Sequence, residues 1–264
     1  MMWMSKRHAG APKRRLSAVL TLVLMAIACT GARADDSAPD PLVKVNRGIF
    51  RFNDALDRHV LEPVARGYVR AVPDIARRGI SNFFSNLWFP VTFVNCVLQA
   101  KPQAATQSLA RFIINTTAGV GGFGDPATLV KVPSPDEDFG QTLGYWGVHP
   151  GPFLMLPLLG PSDVRDTFGR IADSVTPVWP FFVPWYATSS SSGLNVVNTR
   201  AKYIDNVKAL RESSVDYYAA VRNAYLQRRQ ALVEDRVGTS EQKMTTQSEE
   251  DLYYPAGGTE QNEK

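Results

Sequence analysis

The sequence predicts a mainly α-helical protein organised as a single helical domain with short hairpin-like loops. Apolar residues recur at spacings of three and four over much of the chain from Leu42 to Glu234. Proline and glycine cluster between those periodic runs, where they make turns. Strand-like alternation is brief and rare. At 264 residues, 44% hydrophobic and 20% charged, the composition is that of a chain able to bury a sizeable core.

Taken in order, Leu42, Val45, Ile49, Phe52, Leu56 and Val60 form one stripe of an amphipathic helix. Asn46, Arg47, Asn53 and Asp54 sit among them, either as a solvated face or as the lining of a polar interior. Pro63 suits the first turn of a second short helix ending before Pro73. Asp74 is placed to cap a third, running through Ile75 and Ile80 towards Asn86. Residues 87–100 are apolar around most of their circumference, with Asn95 and Gln99 as the polar exceptions. At 14 residues they are too short to span a bilayer, so they form a core helix or lie in a membrane interface. Pro102 opens the next helix, with Leu109, Phe112 and Ile113 as its core stripe and Gly119 at its C-terminus.

The centre of the chain, Gly119 to Asp166, is rich in glycine and proline yet too apolar for a solvated linker. Gly119, Gly121 and Gly124 spell GxGxxG, but they follow a helical pattern rather than a strand, so the dinucleotide fingerprint lacks its context. A turn in which backbones pass close together explains them better. Residues 136–145 make a short helix with Asp136, Glu137 and Asp138 in its first turn. Residues 148–161 read as an apolar hairpin, and Ser162 or Asp163 caps a helix to about Val175. Three prolines in residues 175–186 forbid a regular helix there, and Trp179, Trp185 and Tyr186 are expected as interface anchors. Ser189–Ser192 with Gly193 read as a hinge before a helix over residues 194–211, and a last helix covers residues 215–234. Residues 237–264 read as a disordered polar tail.

The N-terminus has the form of a bacterial secretory signal: basic residues up to Arg15, an apolar run from Leu16 to Cys29, then small residues. Ala32-Arg33-Ala34 fits ordinary cleavage before Asp35, giving a signal of residues 1–34. Ala26-Ile27-Ala28-Cys29 is a degenerate lipobox that would instead leave Cys29 lipidated. Loss of the six basic residues up to Arg33 leaves 23 basic against 25 acidic side chains, so the domain is near neutral and nucleic acid is not an expected partner.

Enzymatic chemistry finds no support. No GxSxG, HExxH or CxxC string occurs, and only three histidines are present, of which His8 lies in the signal. His59 and His149 stand alone, so no metal and no cofactor is expected. Cys96 reads as a small buried apolar residue.

The strings that carry a family resemblance run in order from about residue 40 to 235. They include Asp40-Pro41-Leu42, Asn46-Arg47, Phe50-x-Phe52-Asn53, Pro63-Val64-Ala65, Ser81-Asn82-Phe83, Asn95 and Leu98-Gln99. They continue with Arg111-Phe112, Asn115-Thr116, Gly121-Gly122-Phe123, Asp125, Phe139-Gly140, Thr142-Leu143-Gly144, Gly151-Pro152, Arg165-Asp166, Arg200 and Tyr225. These resemble the MlaA (VacJ) family of outer-membrane lipoproteins. The resemblance implies a ring-like helical domain, residues 35–236, embedded in the periplasm-facing leaflet of a Gram-negative outer membrane. It implies a polar channel through which misplaced phospholipid passes to a periplasmic lipid-carrier protein, and association with an outer-membrane porin trimer. The alternative is a structural scaffold for porins without transport.

On that reading Asn46, Arg47, Asn53 and Asp125 are expected to line the lipid pathway; the competing roles are pairing of Arg47 with Asp125 or Asp166 and capping of a turn by Asn53. Gly147, Gly151, Pro152 and Gly160 mark a loop expected to gate passage. Trp88 and Phe89 stand where some members carry acidic residues, which implies a more lipid-facing helix start.

Overall fold

A computed structural model describes residues 40–176 and 185–236. The signal segment with Cys29, the polar tail, and the side chains of Trp179, Trp185 and Tyr186 lie outside the described residues. Helices dominate, as the periodicity predicts. Helix α1 (Val43–Leu56) runs through five π-helical residues, Asp57–Leu61, straight into α2 (Glu62–Ala71). The expected break before Pro63 is therefore absent, because proline at the start of a helical segment costs no hydrogen bond that the wider π turn has not already displaced. Helix α3 (Asp74–Leu87) follows, with Pro73 rather than Asp74 at the cap; Asp74 instead pairs with Arg77 and Arg78.

Helix α4 (Phe89–Leu98) and α5 (Pro102–Thr117) pack as neighbours, and the short α6 (Pro126–Leu129) follows the glycine turn. Gly119 is not in the left-handed region; it is required for space, since a Cβ there would lie 2.4 Å from the Asn115 carbonyl oxygen and 2.6 Å from that of Gly124. Helix α7 (Phe139–Tyr145) is capped by Asp138, which accepts from the Gln141 amide at 2.8 Å, so Asp136 and Glu137 precede the helix instead of filling its first turn. The hairpin forms as expected: β1 (Phe153–Leu156) pairs antiparallel with β2 (Gly160–Asp163), Phe153 opposite Asp163. Pro157 falls in its turn. Asp163 caps α8 (Val164–Val175). Helix α9 (Trp185–Lys202) runs through the four serines, and the break expected there falls instead at Tyr203, before α10 (Ile204–Ser213) and α11 (Tyr217–Val233).

Contacts between elements close on themselves. From α1 the circuit passes through the π turn to α2, then α9, α3, α5, α4, α7, α8, β2 and β1, and returns to α1. Such a circuit is the ring-like arrangement, with α11 laid against α7 and β2.

The burial pattern is reversed from that of a water-soluble bundle. Of the nine bulkiest side chains that are fully buried among the described residues, only Val91 and Cys96 are not polar; the others include Gln99, Gln141, Asn46, Asn95 and Asp163. Many large apolar residues lie outside, with Ile75 and Leu129 more than 80% exposed, while Phe153, Met155 and Tyr218 form a small apolar core. The stripe Leu42, Val45, Phe52 and Val60 faces outward, and so do Leu109 and Ile113, which sequence periodicity assigned to the core of α5. That helix buries Ala105, Ser108 and Asn115 instead. Periodicity locates the apolar face of a helix, not what it faces. No helix of the described residues is long and apolar enough to cross a membrane.

Candidate functional site

The polar residues of α1 point at the hairpin. Asn46 donates to the Phe153 carbonyl at 3.0 Å and accepts from the Met155 amide at 2.9 Å. Seven residues on, Asn53 donates to the Leu156 carbonyl and accepts from the Leu158 amide, each at 2.9 Å. An asparagine side-chain amide presents donor and acceptor side by side in one plane as a peptide group does, so it substitutes for a third strand. Two turns of helix match the span of a four-residue strand, which is why the i, i+7 spacing works. Arg47 pairs with Asp216, the cap of α11, and lies over the Tyr218 ring at 4.6 Å; neither Asp125 nor Asp166 is its partner.

Behind the hairpin, charged groups are packed into the interior. Arg229 donates to both oxygens of Asp138 at 2.6 and 2.7 Å and to Asp166 at 2.9 Å, and Tyr225 donates to Asp166 at 2.6 Å. Burial pushes the Asp138 carboxyl up, but the Arg229 hydrogen bonds and charge outweigh it and hold it below the ordinary value. Asp163 goes the other way: burial and the neighbouring Asp166 charge raise it to about 6. Gly140 and Gly169 let α7 and α8 touch backbone to backbone here; a Cβ on Gly169 would lie 2.4 Å from the Gly140 nitrogen.

A second buried set hangs on α4. Asn95 donates to Asp173 at 3.1 Å and accepts from Thr142 at 2.8 Å, and Gln99 donates to Glu137 at 2.8 Å and to Thr142 at 3.1 Å. Cys96 beside them is buried, and that burial pushes its thiol up to about 11, which makes it inert. A third set joins α9 and α10 to the π turn: Arg200 forms a two-pronged pair with Asp57 at 2.6 and 2.9 Å, and Arg211 reaches Asp54, Asp57 and Glu62.

Polar side chains between α3, α4, α5 and α9 border open space, although several are paired: Asn86 donates to the Thr116 hydroxyl at 2.9 Å, Asn82 to the Phe123 carbonyl at 3.2 Å, and Asn198 to the Ser81 hydroxyl at 2.8 Å. They surround an open cavity of about 540 Å³. Ser81, Asn82, Ser85 and Asn86 come from α3; Arg111 and Asn115 from α5; Asn195, Thr199 and Lys202 from α9. Phe84, Trp88, Phe89 and Phe112 add aromatic wall, with Phe89 stacked on Phe112 at a ring separation of 4.4 Å. Trp88 and Phe89 thus line this cavity. Asp125 is in its wall as well, gripped by Arg111 at 2.8 Å and Asn115 at 3.0 Å and capping α6 through Thr128. Burial opposes its charge, but hydrogen bonds from Thr128 and Asn115 with the Arg111 charge hold the carboxyl below its ordinary value.

Of the residues expected on the pathway, the structure brings only Asp125 to this cavity; Asn46, Arg47 and Asn53 are not among its lining residues. The serines and asparagines of α3 were missed. Their signal is present as two interleaved i, i+4 pairs, Ser81 with Ser85 and Asn82 with Asn86, which place four small polar groups on one face. The expected gate is a folded hairpin whose strands are held to α1 at four main-chain groups. Gly147, Gly151 and Gly160 all have positive φ, Pro152 leads into β1, and Leu158 and Leu159 are exposed at the tip.

The MlaA lipoprotein family model matches residues 38–232. The intermembrane phospholipid transport system lipoprotein MlaA of Shigella flexneri is 37% identical over 221 residues, covering 82% of this chain and 87% of that protein. Its counterpart in Haemophilus influenzae is 35% identical over 229 residues, covering 82% and 90%. A solved structure described as "Structural basis for maintenance of bacterial outer membrane lipid asymmetry" aligns with a TM-score of 0.67 at 37% identity, over 74% of this chain and all of that one.

Proposed function

The chain belongs to the MlaA lipoprotein family, and from that premise we propose that it is the outer-membrane component of an intermembrane phospholipid transport system that maintains lipid asymmetry. The observation that carries the reading is the reversed burial: polar side chains gathered inside and around a cavity, apolar ones outside. In water this arrangement is costly; in hydrocarbon it is the favoured one, provided that backbone polar groups are satisfied within protein. With no helix long enough to cross, the reading places the ring in one leaflet, the periplasm-facing one.

The cavity suits a headgroup. A phospholipid's charged end is expensive to move through hydrocarbon, and the serine and asparagine groups of α3 with Thr199 and Lys202 of α9 can replace its water. The aromatic wall is compatible with acyl chains, so head and tails need not share one environment. Extracted lipid would then pass to a periplasmic carrier, with a porin trimer as the neighbour of the outer apolar belt. Gating, if it resides in residues 147–160, falls to the hairpin tip at Leu158 and Leu159, since Asn46 and Asn53 hold the strands.

Filling the cavity tests the pathway. Ser85 is exposed within it, so Ser85→Trp leaves the fold intact while occupying the lumen. Vesicles carrying labelled phospholipid in one leaflet, with the soluble carrier present, lose label with the wild type and retain it with the variant. Unchanged extraction by Ser85→Trp overturns the pathway, and porin binding without extraction by the wild type supports the scaffold instead.

A further inference from the structure

A second concave surface adjoins the cavity. It measures about 860 Å³ and shares Ser81, Asn82 and Lys202 with the first, so the two form one continuous polar passage. Its charge is uneven: Arg66, Arg70, Arg77, Arg78, Lys202 and Lys208 face it, against Asp74 and Asp205. Asp74 is occupied by Arg77 and Arg78, and Arg66 pairs with Glu62. Arg70 of α2 and Lys202 of α9 have no carboxylate partner among the described residues, Lys202 touching only the Tyr203 ring at 5.4 Å. Two unpaired cations brought to one concavity by different helices repel each other unless an anion lies between them.

We infer that this basic vestibule is a headgroup-selecting site, favouring glycerophospholipids of net negative charge over zwitterionic ones at the entrance to the polar cavity; this rests on the phospholipid-pathway reading. Arginine grips phosphate through two parallel hydrogen bonds, so a phosphodiester supplies the missing counter-charge. A zwitterionic headgroup brings the same phosphate but also an ammonium, which a surface of six cations against two carboxylates repels. Phosphatidylglycerol-type headgroups carry the phosphate with hydroxyls in place of the ammonium. The hydroxyls find donors and acceptors in Ser81 and Asn82 at the junction.

The test uses the full chain in detergent and three probes: dihexanoyl-phosphatidylglycerol, dihexanoyl-phosphatidylcholine and inorganic phosphate, with dissociation constants read by titration calorimetry. The wild type binds the anionic lipid about tenfold tighter than the zwitterionic one, and the ratio shrinks as salt screens the exposed charges. Arg70→Gln with Lys202→Gln brings the ratio to about one, the anionic lipid losing more affinity than the zwitterionic one; Arg70→Lys with Lys202→Arg retains the preference. Equal wild-type affinity for both lipids, or a preference that survives the double glutamine variant, overturns the vestibule and leaves the pathway standing. Inorganic phosphate bound as tightly as the anionic lipid overturns the assignment to a lipid. Binding of neither lipid overturns the vestibule and the pathway together.

Discussion

Around α7, α8 and α11, carboxylates, arginines and tyrosine are buried and joined in pairs: Asp138 and Asp166 on Arg229, Tyr225 on Asp166, Asn95 on Asp173. Around the cavity, polar groups of the same general kind line open space, and Ser85 has no side-chain partner among the described residues. The first region is polar because its interior is stapled by hydrogen bonds. The second borders open space, and on the proposed reading it is kept polar for a passenger. The two are told apart most sharply at Ser85, which borders open space without a partner among the described residues, whereas Ser81, Asn82 and Asn86 beside it are hydrogen-bonded to Asn198, the Phe123 carbonyl and Thr116; an unpaired buried charge is intolerable and an unpaired group beside water is not.

The contrast is broken most severely by removing a partner from the stapled region. Arg229→Ala leaves the carboxylates of Asp138 and Asp166 without their shared cation, and we expect a loss of about 3–5 kcal/mol in denaturant unfolding in detergent. Next comes Gly169→Ala. Its Cβ would lie 2.7 Å from the Gly140 Cα as well as 2.4 Å from the nitrogen, so α7 and α8 must separate and the paired groups between them with it. About 3 kcal/mol is expected, and a near-neutral result in the same unfolding assay would show that the helices yield more readily than the geometry implies.

How legible this was depends on which physical signal the sequence carries. Helix positions follow from periodicity, and the glycine turn, the hairpin and the Asp163 cap follow from local chemistry that needs no partner. The inside of the ring does not. Val45 and Phe52 mark an apolar face on α1, and the same pattern holds whether that face meets a core or lipid. Asn46 and Asn53 look alike as lumen or staple, because their partners, Phe153 and Leu156, lie more than 100 residues away in sequence. The serine run in α9 reads as a hinge, yet serine is an acceptable helix residue when neighbouring turns continue. Asp125 entered through the family resemblance, and it lies in the cavity wall, whereas the α3 polar face needed the four residues to be placed on a helix first.

A smaller effect separates the staple from the lumen directly. Asn46→Ala deprives the Phe153 carbonyl and Met155 amide of their partner within the protein, for a cost of about 2 kcal/mol. Asn46→Asp should cost at least as much, since a carboxylate cannot donate to the Phe153 carbonyl. Full stability of either variant, by the same unfolding measurement, would move Asn46 from the stapled region to the open one.

A pH dependence distinguishes the regions further. Burial raises the Asp173 carboxyl to about 6, against opposing hydrogen bonds from the Phe139 amide and Asn95. A carboxyl whose folded pKa lies above its unfolded value binds its proton more tightly when folded. Its contribution is therefore fully present below about 4 and is lost as pH rises through about 6. Asp173→Asn keeps one acceptor for the Phe139 amide and removes the charge. The wild type should lose on the order of 2 kcal/mol more than the variant between pH 4 and 7. Parallel pH profiles of the two would show that the charged form is stabilised as well in the fold as in water.

The smallest effect belongs to the cavity. Ser85→Ala removes a hydroxyl that faces open space, and surface changes of this kind stay within about 0.5 kcal/mol. Stability that holds while extraction of labelled phospholipid slows would fix the cavity as a place kept polar for a passenger, because nothing in the fold uses that oxygen. A loss above 1 kcal/mol would mean that the Ser85 hydroxyl has a partner after all, and the distinction between the two regions would vanish at the residue where it is sharpest.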